Sequence, residues 1–66
     1  MKIAINGETK DSRGAKTIAE LVERYELPMQ TVLLEHNGIA LHRHEWSTCA
    51  IAEGDQIEIV RVAAGG

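Results

Sequence analysis

Residues 57–62 read IEIVRV, and they form the strongest β-strand pattern in the chain. Successive side chains of a strand point to opposite faces of a sheet. The two isoleucines therefore share one face with Arg61, and the two valines lie on the other face. Apolar residues on both faces predict a central strand, with each side of the sheet at least partly covered.

Two hairpins are predicted on the N-terminal side of this strand, and their strands can pair with it. Alternating polarity over residues 2–5 predicts a first strand. The dipeptide Asn-Gly is typical of two-residue hairpin turns, because both turn positions need positive φ. The pair at 6–7 therefore predicts a hairpin of strands 2–5 and 8–11. The pair at 37–38 predicts a second hairpin, of strands 32–36 and 39–41.

One helix is predicted between the hairpins. Thr17 and Glu20 match a capping box, in which each side chain binds the other residue's backbone N–H. The apolar residues behind the cap recur at helical spacing and predict a buried stripe of Ile18, Leu21, Val22 and Tyr25. The helix should end at Leu27-Pro28, because proline disfavours helical geometry in the residue before it.

These elements predict an α+β fold, in which one main helix packs across a mixed sheet of four or five strands. The last strand is expected beside the first and parallel to it, since the long connection between them permits that arrangement. Trp46 is the only tryptophan of a mainly aliphatic chain, and we expect it to fill the core.

Size and composition limit the classes of function. The 66 residues predict a single domain, 1–66, and 44% of them are hydrophobic, which is enough for a folded core. The formal net charge of −3 disfavours nucleic-acid binding, because phosphate contacts depend on clustered Lys and Arg. No apolar run approaches a membrane span, so a soluble cytoplasmic protein without a membrane partner is expected.

The last four residues, Ala63 to Gly66, are small and predict a flexible tail, 63–66. A Gly-Gly pair arises by chance at the end of a chain in about 0.5% of cases, given the average glycine content. Without a Cβ, Gly65 and Gly66 place a carboxylate on a slim stem that can enter the active site of another protein. The pattern predicts that the carboxylate of Gly66 is activated there and attacked.

Other candidate residues carry weaker signals. Cys49 is the only cysteine, which excludes an internal disulfide, and its apolar neighbours indicate a small buried side chain more than a reactive thiol. His36, His42 and His44 are a metal-site alternative, but surface histidines are the simpler interpretation. No glycine-rich phosphate loop is present, so we expect no cofactor on this chain and ATP on a partner.

The whole chain resembles the thiamine-biosynthesis sulfur carrier family ThiS, which has the β-grasp (ubiquitin-like) fold. The resemblance rests on a combination of motifs, none specific alone: Asn6-Gly7, the helix from Thr17, Asn37-Gly38, Arg43 with Glu45-Trp46, the segment 53–59 that reads EGDQIEI, and Gly65-Gly66.

The resemblance implies a carrier and not an enzyme. An E1-like adenylyltransferase would adenylate the Gly66 carboxylate with ATP, and sulfur supplied through a cysteine desulfurase would convert it to a thiocarboxylate. Thiazole synthase would then take this sulfur for the thiazole ring of thiamine. Partner contacts would involve the tail and the last strand, namely Ile59, Arg61, Val62, Ala63, Ala64 and Gly65.

Three alternatives stay open at this point. The small subunit of molybdopterin synthase has the same fold and tail, although such chains tend to be longer. A ubiquitin-like protein modifier, conjugated to lysines through Gly66, begins with the same adenylate. The third alternative is an interaction module whose Gly-Gly pair is accidental. A tail that must enter an enzyme favours a monomer in every case.

Overall fold

The computed structural model describes residues 1–62. Five strands and one α-helix follow the predicted order: β1 (Lys2–Ile5), β2 (Glu8–Asp11), α1 (Ile18–Arg24), β3 (Val32–His36), β4 (Ile39–Leu41) and β5 (Gln56–Arg61). Two short 3₁₀ turns, Met29–Thr31 and Arg43–Glu45, lie on either side of the second hairpin.

The strands form one mixed sheet in the order β2-β1-β5-β3-β4. β5 lies at the centre, parallel to β1 and antiparallel to β3, and both hairpins are antiparallel. The central position of the last strand and its parallel pairing with the first are therefore confirmed. Helix α1 covers one face of the sheet, which is the β-grasp arrangement expected from the resemblance.

Both Asn-Gly turns are confirmed by their backbone geometry. Asn6 and Asn37 have φ of 52° and 50°, and the glycine after each has φ of 83°. This left-handed conformation at both turn positions belongs to the type I′ hairpin.

The core lies between α1 and the sheet. Its buried members are Ile3, Ala15, Ile18, Leu21, Val22, Val32, Leu34, Trp46, Ile51 and Ile57. The helical stripe enters this core as predicted, with Tyr25 half-buried at its end. Trp46 is only 2% exposed, which confirms that it fills the core and leaves it unavailable as a partner anchor.

The two ends of α1 differ from the sequence prediction. Thr17 accepts the Glu20 N–H as expected, but the Glu20 carboxylate binds the Lys16 N–H at 2.8 Å and not that of Thr17. The helix ends at Arg24, three residues before Leu27. The reason is a Schellman motif, in which Glu26 takes φ of 52° and the N–H of Leu27 binds the Val22 carbonyl.

The prediction that other elements at least partly cover both faces of the sheet is wrong for residues 1–62. The face opposite α1 is open, and Leu33 and Val60 on it are 62% and 59% exposed. No described element packs over them, because α1 is the only helix longer than one turn in that part of the chain. In the same part, no helix is long and apolar enough to cross a membrane.

Candidate functional site

The candidate site predicted from sequence lies where β5 leads into the tail. Ile59 is half-buried and packs against the core, whereas Arg61 is exposed on the same, helix-side face of the strand. Val62 follows the strand and is 48% exposed. Ala63, Ala64, Gly65 and Gly66, including the carboxylate assigned as the reactive group, lie outside the described residues.

Strand β5 is hydrogen-bonded to its neighbours up to the last described residue. It pairs with β3 from Ile57 opposite His36 to Arg61 opposite Val32. Beyond the strand, the N–H of Val62 donates to the Thr31 carbonyl at 2.7 Å. The base of the tail is therefore part of the sheet, and its position is set by the core.

The first Asn-Gly turn adds a contact that the sequence did not reveal. The side chain of Asn6 accepts the Ile59 N–H through Oδ1 at 2.7 Å and donates to the Ile59 carbonyl through Nδ2 at 3.1 Å. The Asn6 N–H also binds the Ile57 carbonyl at 2.9 Å. Asn6 thus extends the pairing of β1 with β5 beyond the end of β1.

The second Asn-Gly turn holds the beginning of β5 in a similar way. Asn37 donates its N–H to the Gln56 carbonyl at 2.7 Å, and its Oδ1 accepts the Gln56 N–H at 2.8 Å. Its Nδ2 also donates to Asp55 at 3.2 Å. The two turn asparagines therefore hold β5 from opposite sides, Asn37 at its first residue and Asn6 at Ile57 and Ile59.

The open face of the sheet carries an apolar patch near the base of the tail, which the sequence analysis did not assign to the site. Leu33 and Val60 are directly opposite each other on β3 and β5. The neighbouring pair on the same face, farther from Val62, is Glu35 and Glu58. Both of these acidic side chains are exposed. The open face is therefore apolar beside the tail and negatively charged farther from it.

A group of three polar side chains lies at the end of the sheet where β5 begins. His36 Nε2 is 2.7 Å from Asp55 Oδ2, and Cys49 Sγ is 3.5 Å from His36 Nδ1. His36 and Asp55 are largely buried, with 18% and 14% of their side chains exposed. This partner of Cys49 was not evident from the sequence, because His36 lies 13 residues earlier in another element.

Within this group, the pKa values of the Asp55 carboxyl and the Cys49 thiol are shifted in opposite directions. Burial pushes the pKa of Asp55 upward, but hydrogen bonds from the Ala52 N–H, His36 and Asn37 outweigh it and hold that pKa below its ordinary value. Burial, with the nearby carboxylates of Asp55 and Glu45, raises the pKa of the Cys49 thiol. At neutral pH the group therefore contains an ionised carboxylate and a protonated thiol.

The geometry of the histidines opposes the metal-site alternative. His42 and His44 stack with ring centroids 5.5 Å apart, whereas His36 binds Asp55. Within residues 1–62, no group of three His, Cys, Asp or Glu side chains could hold a metal ion, and Asp55 and Cys49 contact different nitrogens of the His36 ring.

Arg43, which contributes to the resemblance, has a structural role in the described part of the chain. Its Nε donates to the Met29 carbonyl and its Nη2 to the Gln30 carbonyl, each at 2.7 Å. It thereby joins the two 3₁₀ turns, and the first of these contains Thr31, the hydrogen-bond acceptor of Val62. Arg43 therefore supports the base of the tail indirectly, through the 3₁₀ turn that contains Thr31.

Comparison with known proteins gives consistent results. A model of the ThiS family matches residues 3–66. The sulfur carrier protein ThiS of Escherichia coli (strain K12) is 29% identical over 66 residues, which cover both chains fully. A thiazole synthase of Paramagnetospirillum magneticum is also 29% identical over all 66 residues, and there the chain spans only 20% of the relative's length.

A solved structure matches the fold over the entire chain. The crystal structure of the thiamine biosynthesis protein (ThiS) from Geobacter metallireducens has a TM-score of 0.82 and 26% sequence identity to this chain, with full coverage of both chains.

Proposed function

We propose, since the chain belongs to the ThiS family, that it is a sulfur carrier protein of thiamine biosynthesis and that it carries sulfur on the carboxylate of Gly66. The observation that carries the proposal is the family match, which extends through residue 66 and so includes Gly65-Gly66. The full-length match to the E. coli sulfur carrier supports it.

The proposed chemistry has two steps. An E1-like adenylyltransferase binds ATP and transfers AMP to the Gly66 carboxylate, releasing pyrophosphate. In the second step a persulfide sulfur derived from a cysteine desulfurase displaces AMP, and a thiol of the partner then takes the other sulfur of the persulfide into a disulfide, which leaves a thiocarboxylate on Gly66. The chain presents the reacting group and acts as a protein co-substrate, while ATP belongs to the partner.

The absence of a Cβ at Gly65 and Gly66 suits both steps. The carbonyl carbon must be open to the phosphate first and to sulfur second, and a side chain would crowd both approaches. Gly65 also permits backbone conformations that other residues disfavour in a narrow channel. Hydrogen bonds hold the described chain as far as Val62, which is four residues before Gly66 in the sequence.

The open face of the sheet supports a docking role beside the tail. Leu33 and Val60 offer an exposed apolar contact, and Glu35 and Glu58 add negative charge next to it. Charge complementarity favours a partner surface with an apolar centre bordered by Lys or Arg. Arg61, on the other face but close to the tail, is a second candidate contact.

The proposed acceptor of the sulfur is thiazole synthase. The similarity between this chain and one fifth of a thiazole synthase supports that partner, because a carrier-like segment then belongs to the same polypeptide as the acceptor enzyme. We expect the chain itself to be a monomer that meets each partner in turn.

A growth experiment tests the pathway. The chain is expressed in a bacterial strain that lacks its own ThiS and requires thiamine, and separately in one that lacks the small subunit of molybdopterin synthase. We expect growth without thiamine in the first strain, no rescue in the second, and no rescue in either by the chain without Gly66. Rescue of only the second strain would assign the carrier to molybdopterin.

A further inference from the structure

The group formed by Cys49, His36 and Asp55 has the arrangement of an activated thiol and is separate from the tail. We propose that Cys49 is a modification site for disulfide-type sulfur electrophiles, with His36 as its general base and Asp55 as the residue that orients His36. This site goes beyond the proposed role of Gly66 and does not depend on it.

The hydrogen bonds define which nitrogen of His36 faces the thiol. The Asp55 carboxylate is ionised and accepts a hydrogen bond, so the proton of the neutral imidazole lies on Nε2 at 2.7 Å from Oδ2. Nδ1 then carries the lone pair, and it lies 3.5 Å from Cys49 Sγ, within the range of a thiol hydrogen bond. A nucleophile next to a base that is oriented by a third group is the general pattern of an activated side chain.

The surroundings of the thiol make the base necessary. Burial and the carboxylates of Asp55 and Glu45 disfavour the free thiolate of Cys49, so an unassisted Cys49 would react more slowly than an ordinary cysteine. The charged and titratable groups that face it are His36 from β3, Glu45 from the second 3₁₀ turn and Asp55 from the loop before β5. Of these, only His36 lowers the cost of removing the proton.

The site is partly exposed and lies at the opposite end of β5 from Val62. Cys49 is only half-buried, so part of the residue is exposed to solvent. His36 pairs with Ile57 near the beginning of β5, whereas the tail leaves the other end of that strand, beyond Arg61. Reaction at Cys49 is therefore expected to leave the docking patch and the Gly66 carboxylate free.

The proposed step balances without a further oxidant. The S–H bond of Cys49 breaks and its proton moves to Nδ1 of His36. The sulfur forms an S–S bond with one sulfur of the disulfide, and the other sulfur leaves as a thiolate with the electron pair of the broken S–S bond. Cys49 is oxidised to a mixed disulfide, and the disulfide reagent is the species reduced.

The test is the rate of thiol–disulfide exchange with the uncharged reagent 4,4′-dithiodipyridine, followed by the absorbance of the released thiopyridone. Cys49 is the only cysteine, so the signal reports one site. We expect His36→Gln to slow the reaction at pH 7 by at least about tenfold, since general bases typically contribute more than that. The matched control His44→Gln, which changes an exposed histidine that stacks on His42, should react like the unmodified chain.

The pH profile keeps the proposal testable if His36→Gln does not fold. With His36 as the base, the rate of the unmodified chain should reach a plateau at a pH below that at which the thiol of Cys49 itself ionises. A rate that rises about tenfold per pH unit up to the pKa of the thiol, with no plateau, would overturn the proposal. So would a folded His36→Gln variant that reacts as fast as the unmodified chain.

Discussion

The side-chain amide of Asn6 binds the main chain of Ile59 as a neighbouring strand would, although the two residues are 53 positions apart. The same asparagine forms the first position of a tight turn. One residue therefore both closes the first hairpin and fixes the strand that leads to the tail. The stability of that strand near the tail should depend on this single side chain.

Replacing Asn6 by glycine tests this dependence. Glycine keeps the positive φ of the turn but removes both side-chain hydrogen bonds to Ile59, so the free energy of unfolding should fall by about 1–3 kcal/mol. Urea denaturation measures this loss, and hydrogen exchange of the Ile59 amide measures its position. In the control Asn37→Gly, the Ile59 amide should keep its protection against local opening. Equal loss of that protection in both variants would contradict the local role of Asn6.

The pH dependence of stability should reflect Asp55. Its pKa is lowered in the folded state, so the carboxylate stabilises the fold above its unfolded pKa, near 3.8, and this contribution disappears as the pH falls through the still lower folded pKa. In urea titrations, Asp55→Asn should be less stable than the unmodified chain at pH 7, and the difference should shrink in acid. A difference independent of pH would show that the charge of Asp55 contributes nothing.

Glycine at position 26 should stabilise the protein. Glu26 has φ of 52° in the Schellman motif, a conformation that costs a residue with a Cβ about 1–2 kcal/mol. Part of the gain is lost because glycine is more flexible in the unfolded chain, so we expect a net increase of up to about 1 kcal/mol. Glu23→Gly, at the next-to-last residue of α1, should instead lower stability by about 0.5–1 kcal/mol. Similar losses in both variants would contradict the left-handed assignment.

A charge on the open face should weaken adenylation. Val60→Glu places a carboxylate in the centre of the apolar patch. We expect the rate of AMP transfer by the E1-like partner to fall at least tenfold, because a buried unpaired charge at an interface costs several kcal/mol. The free energy of unfolding should be unchanged. Thr9→Glu on β2, away from the patch, is the matched control and should leave the rate unchanged.

The same assay decides between the two faces of β5. Arg61 and Val60 are adjacent on the strand but point to opposite sides of the sheet. We expect Arg61→Glu to reduce the rate to a smaller extent than Val60→Glu. A strong effect of Arg61→Glu with normal activity of Val60→Glu would move the docking surface to the helix side.

The elements were predictable where the signal is local. The Asn-Gly pairs, the apolar stripe of the helix and the strand pattern in 57–62 each depend on a few adjacent residues. Both turns and the helix are present as predicted, and the strand is present as Gln56–Arg61. The early end of α1 was not predictable, because glutamate is an unusual residue for a left-handed helix cap.

The missed parts of the candidate site depend on distant residues. The alternation in β5 indicated apolar side chains on both faces, but it contains no information about which face another element covers, so the exposure of Leu33 and Val60 had to come from the structure. Cys49 contacts His36, and His36 contacts Asp55, only because the loops that carry Cys49 and Asp55 converge on the end of β3.

The mass of the intact protein tests the central claim most directly. The chain is purified under non-reducing conditions from cells that need thiamine and contain the sulfur-transfer partners. We predict a fraction heavier by the difference between one sulfur and one oxygen atom, located at Gly66 by fragmentation and absent when Gly66 is deleted. Complete absence of that fraction, with Gly66 found in isopeptide bonds to lysines of other proteins, would contradict the carrier function and identify a protein modifier.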